Sequence, residues 1–183
     1  QRRGSASMRR MDAALTPVGP DLRGRLRWTE ASLERPLVRA PGGPAYVFDW
    51  DGEMNGEITL LELGEGPPRA LLRWTDDPPA SSAAVDLDGD GLRELFLGTG
   101  TYSRRFYRFA PDADGVWTRR PAHPPTDALH SDINSLVAGD FDGDGREELA
   151  AAVGAWRAYD VRIFEAGPDG ELRIAARRRF GHV

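Results

Sequence analysis

One pattern constrains this chain more than any other: a strand, an acidic glycine loop and a second strand, written twice. Residues 82–100 read SAAVDLDGDGLRELFLGTG and residues 136–154 read LVAGDFDGDGREELAAAVG, with the loops 54 residues apart. Self-similarity at a fixed spacing means supersecondary units that stack on one another to complete a core. A second repeat interleaves with the first. Short β-branched or aromatic runs, Ile58–Leu61, Phe106–Phe109 and Val161–Phe164, each lead into a turn: Gly66-Pro67-Pro68, Pro111 to Gly115, and Pro168-Asp169-Gly170. The first two turns are followed by related stretches, Leu72-Arg73-Trp74-Thr75 and Val116-Trp117-Thr118, and an earlier copy, Leu26-Arg27-Trp28-Thr29, follows Pro20 to Gly24. A strand, a Pro-Asp-Gly turn and a strand make a hairpin.

Together the two repeats give strand, acidic loop, strand, connection, strand, turn, strand. That is a four-stranded antiparallel meander of roughly 45–55 residues, the size of one propeller blade. The reading is therefore all-β: a disordered tail at 1–12, a partial blade at 13–29, and whole blades at about 32–76, 82–121 and 133–180. No segment carries a sustained 3.6-residue period with helix caps. About three and a half blades make a partial propeller, because a closed ring needs at least about four. The chain is then either a piece of a longer one or closes by pairing with a second copy, and its start at Gln1 favours a piece.

Composition removes several functions. The chain has 183 residues and a formal charge of −5, the wrong sign for a nucleic-acid binder. All 24 basic residues are Arg, so lysine chemistry is excluded, and the absence of Cys removes thiolate and disulfide chemistry. The longest apolar stretch, Leu149–Trp156, falls far short of a membrane span, and residues 1–11 lack the apolar core of a secretory signal.

The chemistry lies in the acidic loops. Asp86, Asp88, Asp90 and Glu94 stand at positions 1, 3, 5 and 9 of the first, and Asp140, Asp142, Asp144 and Glu148 at the same positions of the second. Four carboxylates this close repel one another unless a cation sits among them, and an all-oxygen set suits Ca²⁺. The backbone carbonyls of Leu92 and Arg146, at position 7, complete each expected shell, and Gly91 and Gly145 permit the turn around the ion. Two Ca²⁺ ions would take the formal charge from −5 to −1. An EF-hand needs Glu at position 12 and flanking helices; Leu97 and Ala151 stand there instead, between strands.

The doubled D-x-D-G-D-G-x-x-E-L pattern resembles the FG-GAP (VCBS) repeat of integrin-α-type β-propellers, most closely over 82–121 and 133–180. The resemblance implies a loop that joins the two innermost strands of a blade and holds a structural calcium on the ten residues named above. Both copies carry Glu at position 9, where the family commonly has Asp. The function that the resemblance implies is a non-catalytic calcium-binding module for extracellular adhesion or for protein or carbohydrate recognition, outside the cell, in the periplasm or on a bacterial surface. Its partners would be an unidentified protein or glycan, and further blades or a second copy. The alternative is an accessory propeller of a larger hydrolase, lyase or kinase.

Three further features weigh less. Val47 to Gly52 resembles the nucleophile motif of haloacid-dehalogenase phosphatases, but Glu53 replaces the expected Thr and the chain lacks the required Lys. Asp49, Asp51, Glu53 and Glu57 also follow the 1, 3, 5, 9 spacing, although Met54 replaces the glycine; an exposed connection is the simpler reading. His123 and His130, near Asp132, receive no role. Trp28, Trp74 and Trp117 read as equivalent packing residues. Trp50 and Trp156, with Tyr102, Arg104, Arg105, Arg157 and Tyr159, read as exposed connections forming a recognition surface.

Overall fold

The computed structural model describes residues 7–8, 22–23, 37–51, 53–99, 105–122, 133–154 and 160–180. The expected tail at 1–12 and partial blade at 13–29 lie outside the described residues, apart from a two-residue ladder between β1 (Ser7–Met8) and β2 (Leu22–Arg23). Three four-stranded sheets come next along the chain, and among the described residues there is no helix. Sheet 1 holds β3 (Leu37–Val38), β4 (Ala45–Trp50), β5 (Gly56–Leu63) and β6 (Arg69–Asp76). Sheet 2 holds β7 (Pro79–Val85), β8 (Glu94–Thr99), β9 (Phe106–Pro111) and β10 (Trp117–Pro121). Sheet 3 holds β11 (Ile133–Gly139), β12 (Glu148–Val153), β13 (Asp160–Ala166) and β14 (Leu172–Arg179). Within each, neighbours in sequence pair antiparallel, so each is the expected meander, and the three do not close into a ring.

Local chemistry explains the hairpins. Between β9 and β10 the Asp112 carboxylate accepts from the amides of Asp114 and Val116 at 3.0 and 2.9 Å, while Gly115 takes a left-handed φ of 77°. An Asx turn closed by a left-handed glycine brings the strands back on each other. Gly170 does the same between β13 and β14 at φ 74°.

Alternation then builds the cores. Along β8 the side chains of Leu95 and Leu97 face sheet 1 and join Tyr46, Phe48, Leu60 and Phe109. Phe96 faces the other way and joins Phe106, Leu149 and Phe164 against sheet 3. Every residue of β8 is buried, because it lies between two other sheets. Each such Leu or Phe contributes about 1.5–3 kcal/mol by leaving water. Sheets 2 and 3 approach so closely that a Cβ added at Gly98 would run into the Ile133 side chain. Their first strands lie side by side, with the Leu136 amide donating to Ser81 Oγ at 2.9 Å.

Two expectations about tryptophan need correction. Trp74 lies opposite Ile58 near the end of β6, whereas Trp117 opens β10 opposite Pro111, so the two are not at equivalent positions. Both still pack between sheets 1 and 2: Trp117 on Tyr46 with ring centroids 5.1 Å apart, Trp74 on Phe109 at 5.2 Å. Trp50 is not in a connection. It ends β4, packs against the same core, and donates from Nε1 to the Glu53 carbonyl at 2.9 Å.

Candidate metal centre

The two acidic loops are the connections β7–β8 and β11–β12, at one end of their sheets. Their backbones share one plan. Asp86 accepts the amides of Gly89 and Gly91 at 2.8 and 2.9 Å, and Asp140 accepts those of Gly143 and Gly145 at 2.6 and 3.0 Å. Asp88 and Asp90 take the amides of Asp90 and Leu92; Asp142 and Asp144 take those of Asp144 and Arg146. The fourth-position glycines, Gly89 and Gly143, are left-handed as well as Gly91 and Gly145, with φ between 76° and 90°. A side chain at any of these four positions would strain the loop.

One carboxylate oxygen from each of Asp140, Asp142, Asp144 and Glu148 lies within 4.8 Å of all the others, and the same holds for Asp86, Asp88 and Asp90. Oxygens bound about 2.3–2.6 Å from one Ca²⁺ stand at most about 5 Å apart, so both donor sets fit a single hard cation. Leu92 and Arg146 occupy the seventh positions, shortly after the third aspartate of each loop. Position 12, Leu97 or Ala151, is a buried strand residue in both copies, which removes the EF-hand geometry.

Glu94 does not join the first cluster. Its carboxylate receives the Arg108 guanidinium at 3.0 Å and only a longer bond, 3.4 Å, from the Leu87 amide. Burial pushes the Glu94 carboxyl above the usual range, and Arg108 pulls it part of the way back. Glu148 instead accepts the Phe141 amide at 2.7 Å. Register explains the difference. Arg108 pairs with Phe96 and Ile163 with Ala150, two residues on from the loop acid in each copy, so the third-strand position diagonal to that acid is Arg108 in sheet 2 and Ile163 in sheet 3.

Contacts between the loops were not legible in the sequence. Arg93 forks onto Glu147, Nε to Oε2 at 3.1 Å and Nη2 to Oε1 at 2.5 Å, and the Asp86 amide donates to the same Oε2 at 3.0 Å. On the other side Arg93 and Arg39 exchange bonds, amide to carbonyl at 2.8 Å and Nε to carbonyl at 2.9 Å. Arg39 belongs to the β3–β4 connection, which occupies the acidic-loop position in sheet 1 but reads RAPGGP across 39–44. A cleft of about 340 Å³ lies among the three connections, lined by Arg39, Asp86, Arg93, Arg146 and Glu147. The signal that could have exposed the Arg93–Glu147 pair is their opposite charge at one repeat position, the eighth.

The segment Asp49 to Glu57 is a different structure. It spans the β4–β5 connection, at the opposite end of the sheet from the acidic loops. Asp51 there accepts the amides of Glu53 and Glu57 at 3.0 and 2.9 Å. It is a turn, and among the described residues its acids form no cluster of the kind seen in the two loops. Of the other candidates, Tyr102, Arg104, Trp156, Arg157, Tyr159, Trp28, His123, His130 and Asp132 lie outside the described residues. Arg105 is described: its guanidinium reaches Tyr107 Oη at 3.2 Å and Asp76 at 3.4 Å.

The doubled loops between the first and second strands of successive meanders match a known pattern. Residues 86–151 match the family model of an FG-GAP-like repeat. The match begins at the first aspartate of one loop and runs through the second loop into β12, so it covers both acidic loops and sheet 2 from the first loop onward. No curated protein matches the chain.

Proposed function

We propose that the chain is a non-catalytic, calcium-braced β-propeller module for recognition or adhesion outside the cytoplasm. The observation that carries this is the convergence of the Asp140, Asp142, Asp144 and Glu148 oxygens within 4.8 Å, repeated by Asp86, Asp88 and Asp90, inside an FG-GAP-like repeat. Structural Ca²⁺ is the ion that the donor chemistry favours, with the Leu92 and Arg146 carbonyls as seventh-position ligands. Bound there, an ion supplies charge compensation and crosslinks the loop; the chain's own residues fold the loop and hold neighbouring sheets together. Millimolar calcium outside cells fills such sites even when they are weak, which supports an extracellular, periplasmic or cell-surface location.

The uncovered side of sheet 3 bears on partners. The row Val137, Ala150, Ile163, Ala176 on sheet 3 corresponds to positions that sheet 3 itself covers on sheet 2, where Ala83 and Phe96 are buried. Val137 remains 48 % exposed. This supports further blades or a second copy beside sheet 3, with the protein or glycan ligand held by the assembled ring. Calorimetric titration of the chelator-stripped chain with Ca²⁺ tests the reading. Uptake of two ions with a raised melting temperature supports it; no uptake at millimolar Ca²⁺ overturns it.

A further inference from the structure

Each acidic loop has one residue between its seventh-position carbonyl and its ninth-position acid: Arg93 in the first, Glu147 in the second. Neither points into its own loop. The Glu147 carboxylate crosses to sheet 2, where it takes a two-point fork from Arg93 and the main-chain amide of Asp86. Asp86 is the residue around which the first loop is wound, since its two oxygens hold the Gly89 and Gly91 amides. Glu147 therefore sets the orientation of the Asp86 peptide and, through Arg93, of the chain between Leu92 and Glu94.

We infer that the two loops bind cations cooperatively, with Glu147 as the positioning residue that passes the state of loop 140–148 to loop 86–94. The inference rests on the calcium reading above. Closing the second loop on an ion fixes the backbone at Arg146 and the side chain at Glu148, the two neighbours of Glu147, so the carboxylate is held ready for Asp86 and Arg93. The ordering cost of the first loop is then met in part before its ion arrives. Linkage requires the reverse effect to be equal. The partners come from different sheets, 54 positions apart for Arg93 and Glu147, so no local rearrangement in one loop substitutes for them.

The test is Ca²⁺ calorimetry on the full chain, on Asp88→Ala/Asp90→Ala, which disables the first loop, and on Asp142→Ala/Asp144→Ala, which disables the second. Cooperation predicts that the product of the two wild-type binding constants exceeds the product of the two single-site constants by about fivefold or more. In Glu147→Ala this factor falls to about one while two ions still bind, and Glu147→Gln, which keeps an acceptor for the Asp86 amide, gives an intermediate factor. A purely structural Glu147 would lower the melting temperature and leave the factor unchanged. If Glu147→Ala loses its β-sheet circular dichroism, Arg93→Gln removes the fork while the Asp86 amide bond stays, and the factor should fall part of the way. Two ions bound independently in the wild type, or a factor that survives the Glu147 and Arg93 substitutions, overturns the coupling alone; no uptake by the wild type overturns the calcium reading and the coupling with it.

Discussion

The loops at 86–94 and 140–148 have nearly the same sequence and the same internal hydrogen bonds, yet they sit in different surroundings. At position 2 Leu87 is 6 % exposed beneath sheet 3, whereas Phe141 is 48 % exposed. At position 9 Glu94 is tied to Arg108, while Glu148 stays with its own loop. The motif determines how a loop folds; the adjacent strand determines whether its ninth-position acid remains available, and the neighbouring sheet which of its residues are covered.

The largest test of this contrast is in the sheets that carry the loops. Phe96 is fully buried between sheets 2 and 3, so Phe96→Ala is expected to cost about 3–5 kcal/mol in urea unfolding. Val137, on the uncovered side of sheet 3, is expected to change stability by no more than about 0.5 kcal/mol when replaced by Ala. Comparable losses at both positions would mean that sheet 3 is covered in solution, and the contrast would be broken.

A smaller effect is expected at the ninth position. Arg108→Ile copies the sheet 3 residue into sheet 2. It leaves the Glu94 carboxylate buried without its cation, and is expected to destabilise the ion-free chain by about 2 kcal/mol. It also frees Glu94 for the loop, so Ca²⁺ affinity at 86–94 should rise towards that at 140–148. Lower affinity at the first loop would show that Arg108 supports the site.

The smallest effect concerns the third strands of sheets 2 and 3. Tyr107 and Arg162 occupy equivalent third-strand positions, opposite Leu97 and Ala151. Tyr107 donates to Asp76 at 2.5 Å between sheets 1 and 2, while Arg162 is buried within sheet 3 and pairs there with Asp160, itself also held by Arg177. Burial, and then the bond to Asp76, push the Tyr107 hydroxyl above its ordinary range. The folded chain thus keeps that proton longer than the unfolded one, so stability is full below about pH 10 and falls as pH rises from there. Urea midpoints of the wild type and Tyr107→Phe across pH 9–11 check this: the wild type should lose more stability than the variant, which lacks the hydroxyl.

Much of the architecture was legible because it is local. Aromatic or β-branched runs such as Phe106–Phe109, the Pro-Asp-Gly turns at 111–115 and 168–170 and the paired D-x-D-G-D-G loops act within ten residues of themselves, and each of these produced the strand or turn it implied. The tryptophans misled because similarity of Trp74-Thr75 to Trp117-Thr118 ignores register: β6 runs eight residues and β10 five, so one Trp lies near the end of its strand and the other begins it. Trp50 misled because its strand continues one residue past the acidic Asp49.

By itself the sequence determined the meander, the winding of both loops, and the alternation that gives each strand two faces. Backbone conformation and side-chain period act between near neighbours, so one chain segment is enough to specify them. Tertiary structure alone decided that Arg108 claims Glu94, that Glu147 reaches Asp86 and Arg93, and that Leu87 is covered while Phe141 is not. Those outcomes depend on which strand or sheet comes to lie beside which, and the desolvation and charge pairing that result exist only once separate segments have packed.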